Sequence, residues 1–193
     1  ASVMPEKTHV LGWSLGGLVA LRLASRWPER VQSVTTLATN PCFCARPDWP
    51  AATPVVLLKK FSDLLREDNN GTLIRFAALA CNGSASQKED IRKLRDILHF
   101  CGLPAPRALR EGLLLLQEAD LRVELMALLQ PVLMLFGDQD AIVPVAAARA
   151  VSALDPHAQV EVLPGASHVP QSALPAVLAE HLVAFWSEHG IFA

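Results

Sequence analysis

The chain has 193 residues, of which 51% are apolar and 19% charged, with a net charge of −2. That length supports one domain with a real core, the near-balanced charge leaves no footprint for a general nucleic-acid role, and no run of about 18 uncharged apolar residues is present to span a bilayer. The cysteines at 42, 44, 81 and 101 fit neither a Cys-x-x-Cys pair nor a zinc ribbon, so they read as free thiols of a reducing, cytoplasmic compartment, with no metal site.

Thr8-His9-Val10-Leu11 is a short apolar run suited to a buried strand, and it leads into Gly12-Trp13-Ser14-Leu15-Gly16-Gly17. This G-x-S-x-G form needs a strand, a turn too tight for side chains on its flanks, and then a helix. Leu15 to Trp27 supplies the helix, and Pro28 stops it. Val31 to Ala38 is a β-branched second strand, parallel to the first because a helix crosses between them. From Pro41 to Gln130 no convincing strand occurs. Helical stretches follow one another over Pro54–Glu67, closed by Asn69-Asn70-Gly71, then Thr72–Cys81, then Lys88–Phe100 behind a Ser86-x-x-Glu89 capping box, and Arg107–Leu129, broken near Asp120. Strand and helix alternation resumes with Val132–Phe136, whose continuous apolar run suits burial on both faces. A helix follows from Pro144 to Leu154, then a last strand over Val160–Leu163 and a closing amphipathic helix over Leu174–His189. The expected organisation is an α/β core over 1–40 and 131–193, with a helical lid inserted over 41–130.

A serine hydroxyl is a weak nucleophile near neutrality and needs an imidazole base held in one tautomer by a carboxylate. The turn projects Ser14 above the strand ends, with the Leu15 N–H as half of an oxyanion hole. Asp138 and Asp140 both follow the third strand, and spacing alone does not choose between them. His168 is the histidine that follows the fourth strand. The order serine, aspartate, histidine is that of the α/β hydrolases, and it defines the fold class: a mostly parallel sheet, four strands of it present, with a helical lid.

At these residues the chain resembles a known family. Leu11 to Ala20, Pro28-Glu29-Arg30-Val31, and Asn40-Pro41-Cys42-Phe43-Cys44-Ala45-Arg46 with Trp49-Pro50 are similar to the pimeloyl-acyl carrier protein methyl ester esterases of biotin synthesis, the BioH-type carboxylesterases. Gly137-x-x-Asp140-x-x-Val143-Pro144 and Gly165-Ala166-Ser167-His168 extend the likeness and select Asp140 over Asp138. The resemblance implies a cofactor-free hydrolysis of the methyl ester on a pimeloyl chain borne by acyl carrier protein. It implies Ser14, Asp140 and His168 as the triad, a substrate wall of Ser14, Leu15, Phe76, Leu79, Ala80 and His168, and docking of the acidic carrier by Arg75, Lys88 and Arg92. Lys88, Arg92 and Arg95, at i, i+4 and i+7, share one helix face, but interspersed Glu89, Asp90 and Asp96 also fit a solvated mixed-charge face. A small free ester or lactone is the alternative substrate. The family pattern also calls for roughly seventy residues upstream, including a His-Gly loop that gives a second oxyanion donor. On that pattern the chain is the carboxyl-terminal part of an enzyme, its first strand is an exposed edge, and a catalytically incompetent fragment is a further alternative.

Overall fold

Four strands, β1 (Thr8–Trp13), β2 (Val31–Leu37), β3 (Val132–Gly137) and β4 (Gln159–Leu163), form one parallel sheet in the order β1-β2-β3-β4. The computed structural model describes Pro5 and residues 7–190. Helix α1 (Leu15–Arg26) joins β1 to β2. Five helices lie between β2 and β3: α2 (Val55–Glu67), α3 (Asn69–Ala80), α4 (Gln87–Cys101), α5 (Pro106–Glu118) and α6 (Arg122–Met126). Helix α7 (Ala146–Leu154) joins β3 to β4, and α8 (Pro170–Ala173) and α9 (Pro175–Glu188) follow β4.

All six residues of β3 are buried, and side-chain alternation shows why the strand carries no polar face. Met134 and Phe136 enter one apolar cluster with Leu18 and Leu21 of α1 and with Ala147 and Val151 of α7. Leu133 and Leu135 point the other way, into a cluster with Leu178 and Phe185 of α9. Successive residues of a strand face opposite sides, and here helices cover both, so every position is apolar. Within the described residues β1 pairs only with β2 and lies at one edge of the sheet.

Several local expectations give way to competing hydrogen bonds. Asn69-Asn70-Gly71 opens α3 instead of closing α2, because the Asp68 carboxylate accepts the Gly71 N–H at 2.9 Å and caps the new helix. No capping box forms at Ser86; its hydroxyl donates to the Asp90 carboxylate at 2.7 Å instead. The stretch after Arg107 breaks near Asp120 as expected, into α5 and α6 around Ala119–Leu121, where the Leu121 N–H bonds the Pro41 carbonyl, but α6 ends at Met126, short of Leu129. The closing segment likewise divides into α8 and α9.

The loop after β2 is buried although it is not a helix or strand. Asn40 organises it: its Oδ1 accepts from the Cys42 N–H and the Trp49 indole, and its Nδ2 donates to the Ala51 carbonyl. Arg122 then clasps the loop from outside, with its guanidinium 5.2 Å from the Trp49 ring centroid and bonded to Asp48 and Asp120. The hydrogen bond from Arg122 holds the Asp120 carboxyl below the ordinary aspartate range. This clasp fixes the Pro41-Cys42-Phe43 segment against the sheet.

Candidate active site

Ser14 sits between β1 and α1, and its N–H continues the strand pairing by donating to the Leu37 carbonyl at 2.8 Å. Its backbone has φ 53° and ψ −119°, a region that non-glycine residues seldom occupy and that costs on the order of 1–3 kcal/mol. Neighbouring contacts hold it there. Thr39 donates its hydroxyl to the Ser14 carbonyl at 3.0 Å, and the Gly17 N–H bonds the same carbonyl at 2.9 Å. A Cβ on Gly12 would collide with the Gly16 carbonyl, and one on Gly17 with the Thr39 side chain. The expectation that Gly12 and Gly16 make the turn tight is thus half correct: a Cβ on Gly16 would meet nothing, and Gly17 is the second position that needs glycine.

The loops after β3 and β4 bring two further side chains to this turn. His168 is fully buried. Its Nδ1 lies 2.7 Å from Asp140 Oδ2 and its Nε2 2.9 Å from the Ser14 hydroxyl. An ionised carboxylate only accepts, so Nδ1 carries the proton and Nε2 is left to accept the Ser14 proton. The other oxygen of Asp140 takes the N–H groups of Ile142 and Val143 at 2.7 and 2.9 Å, which fixes the carboxylate plane. His168 is held through its main chain as well: its carbonyl accepts the Trp13 indole N–H at 2.6 Å, and its N–H donates to the Ala80 carbonyl at 3.1 Å. Asp138, the other carboxylate after β3, turns away and accepts the Gly165 N–H at 2.7 Å, closing the β3 loop onto the β4 loop. Leu15 is the first residue of α1, so its N–H is among the helix-start donors without an intrahelical partner.

An apolar cavity of about 120 Å³ opens at Ser14, walled by Phe43, Phe61, Phe76, Leu79 and Ile142 among others. Phe61 and Phe76 meet with ring centroids 5.4 Å apart. Wider grooves lie between α3 and α4 and between α2 and α5, but they are not lined by Ser14, Asp140 or His168. Phe76 and Leu79 thus share one wall with Ser14. Leu15, Ala80 and His168, expected in the same wall, do not line the cavity; Ala80 is fully buried, and its carbonyl serves His168 instead. Sequence reasoning missed Phe43 and Phe61 as wall residues. Phe43 lies in the Pro-Cys-Phe segment, and Phe61 in the apolar stripe of α2, so both were visible but without a direction.

On the outer helices, Arg75, Lys88, Arg92 and Arg95 are exposed. Asp90, expected on a solvated face beside them, is fully buried. Its signal lay in the register, since it falls on the α4 side that carries Ile91 and Leu94, which pack inward. Cys42, Cys44 and Cys81 are buried free thiols and Cys101 is exposed.

A strained serine at a strand-to-helix turn, beside a buried histidine oriented by a carboxylate on a four-stranded parallel sheet, defines a hydrolase of the α/β class. The alpha/beta hydrolase family matches residues 1–181. The chain belongs to that family and, within it, to the pimeloyl-[acyl-carrier protein] methyl ester esterases. It is 43% identical to the esterase of that name from Aeromonas hydrophila over 180 residues, which are 93% of this chain and 70% of the relative. The one from Klebsiella pneumoniae is 39% identical over 186 residues, 96% of this chain and 72% of the relative. Among solved structures, the bromoperoxidase from Bacillus anthracis superposes with a TM-score of 0.83 at 19% identity, covering 94% of this chain and 68% of that one. The esterase from Exiguobacterium antarcticum gives 0.77 at 19% identity, covering 92% and 65%. These two structures share the fold. Among the described residues no helix is long and apolar enough to cross a membrane.

Proposed function

We propose that the chain is a serine carboxylesterase that cleaves the methyl ester of pimeloyl-acyl carrier protein in biotin synthesis. The observation that carries the chemistry is the hydrogen-bonded path from Ser14 through His168 to Asp140 at the mouth of an apolar cavity. The substrate follows from the named relatives at 39–43% identity.

In this reading the Ser14 oxygen attacks the ester carbonyl carbon while His168 Nε2 takes its proton. The carbonyl electrons move to oxygen, where the Leu15 N–H is one donor. Collapse expels the methoxy group, which takes the proton back from His168 and leaves as methanol. Water then attacks the acyl-serine ester, giving its proton to His168, and the free carboxyl departs as Ser14 is reprotonated. Asp140 stays ionised throughout and stabilises the imidazolium. Phe76 and Leu79 hold the acyl chain, and among the described residues the cavity wall carries no charged side chain, which favours a neutral ester over a carboxylate. Residues 41–130 act as a lid on the core formed by 1–40 and 131–193. Arg75, Lys88 and Arg92, exposed on α3 and α4, meet the acidic carrier protein.

The test is hydrolysis of a methyl pimeloyl thioester on acyl carrier protein, beside the free methyl ester. Ser14→Ala is expected to lower kcat by about 10⁶-fold. Lys88→Glu with Arg92→Glu is expected to raise KM for the carrier-bound ester alone. Equal loss with both substrates would move the reading to small free esters.

A further inference from the structure

Helix α4 buries one residue, and it is a carboxylate, Asp90. Taking an unpaired charge out of water is costly, so its partners matter. Oδ2 accepts the hydroxyls of Ser84 at 2.8 Å and Ser86 at 2.7 Å, both from the turn before α4. Oδ1 accepts the hydroxyl of Ser172 at 2.6 Å, and that residue lies 82 positions away in α8. Each serine has one hydroxyl proton and spends it on Asp90. Burial pushes this carboxyl upward, but the Ser172, Ser86 and Ser84 hydroxyls and the Lys93 ammonium outweigh it, and the group stays below the ordinary aspartate range. It is therefore an ionised anchor at neutral pH.

Ser172 follows His168 by four residues. Between them, the Ser172 N–H bonds the Val169 carbonyl and so makes the segment a single tight turn. The segment is fastened to the helical region twice, on either side of that turn: the His168 N–H to the Ala80 carbonyl at the end of α3, and the Ser172 hydroxyl to Asp90. On the sheet side it is held by the Trp13 indole. The imidazole must reach Asp140 and Ser14 together, at 2.7 and 2.9 Å, so its backbone has little freedom to drift.

We infer that Asp90 is a positioning residue for His168: through Ser172 its carboxylate ties α4 to the histidine loop, so that the lid helix and the base are held as one unit. The inference rests on His168 being the base that activates Ser14. It assigns the two faces of α4 separate tasks. The outer face presents Lys88, Arg92 and Arg95 to solvent, and the inner face sets the base.

The test is the rate at which a fluorophosphonate labels Ser14 in this chain, with the downfield Nδ1–H proton resonance of His168 as an independent readout. Ser172→Ala removes only the strand of the network that reaches the histidine loop, and it is expected to slow labelling between about ten- and a hundredfold and to shift or broaden the resonance. Ser172→Thr keeps the hydroxyl and should restore most of the rate. Ser84→Ala removes an equivalent hydrogen bond from the same carboxylate without touching the loop, and is expected to stay within about twofold of wild type. Should Ser172→Ala fail to fold, Asp90→Asn is compared with Ser84→Ala in its place and carries the same expectation. Labelling of Ser172→Ala at the wild-type rate, or equal slowing of Ser172→Ala and Ser84→Ala, overturns the inference while leaving the triad reading intact. A wild-type chain that is folded and not labelled overturns both.

Discussion

The sheet and the helical segment differ in how deeply their elements are buried. In β3 every residue is buried, and α1 buries five of its twelve. By contrast α2 and α4 bury one residue each and α5 none, although α3 buries four of its twelve. The sheet is thus stabilised by non-directional apolar burial spread over many side chains. The helical segment adds Leu58, Leu121 and Leu125 to the core cluster and meets the core through directional contacts spread along its length: Thr53 to the Ile142 carbonyl, the Ala80 carbonyl with His168, Asp90 with Ser172, and Glu124 with Arg22 of α1. Its apolar underside is left to line the cavity at Ser14.

This contrast predicts effects of different size and kind. Phe136→Ala, deep in β3 and 1% exposed, is expected to cost about 3–5 kcal/mol of global stability, read as a lower denaturant midpoint shared by all spectroscopic probes. Arg122→Ala removes charge-assisted bonds to Asp48 and Asp120 and the contact with Trp49. It is expected to cost less, about 1.5–3 kcal/mol, and to act locally. Amide exchange should rise over residues 41–53 well before the sheet opens. If both variants lose protection uniformly, the two regions form one cooperative unit and the comparison fails.

The same division decides what could be read in advance. The sheet was legible because its constraint is local: the β-branched run at β2 and the continuous apolar run at β3, each followed by a turn residue type, leave little choice of structure. Ser14, Asp140 and His168 were legible because each stands just after a strand in one chain order. Asp138 and Asp140 differ only in what their oxygens reach, and two residues of spacing cannot express that the Gly165 N–H claims one and His168 the other. The helical segment was legible as helix but not in its junctions. The break near Asp120 was legible, but at Asp68 and Ser86 the outcome turns on a hydrogen bond to a competing neighbour. Asp90 is the clearest case, since the charge that suggested solvent is buried and accepts hydroxyls from Ser84, Ser86 and a serine 82 positions away.

The smallest effect tests the seam between the two regions. Cys81 follows α3, is fully buried, and packs with Ala80 and Val169 beside Trp13, Ile91 and Leu94. Burial, and secondarily the Asp90 carboxylate, pushes its thiol up from 9.0 to about 11. Below pH 9 the thiol is protonated in folded and unfolded chains alike and its contribution is fully present. Between about 9 and 11 the unfolded chain alone gives up its proton, so stability falls as pH rises, and the fall stops above the folded value. The chain has no tyrosine to titrate in the same window, although the buried Cys42 and Cys44 thiols, also raised, act in the same direction. Cys81→Ala is therefore expected to flatten, without abolishing, the loss of denaturation midpoint from pH 9 to 11, and to leave the slope below pH 9 unchanged. If the slopes of variant and wild type coincide across that window, the seam opens to water before the sheet does, and Cys81 belongs energetically to the helical segment and not to the sheet.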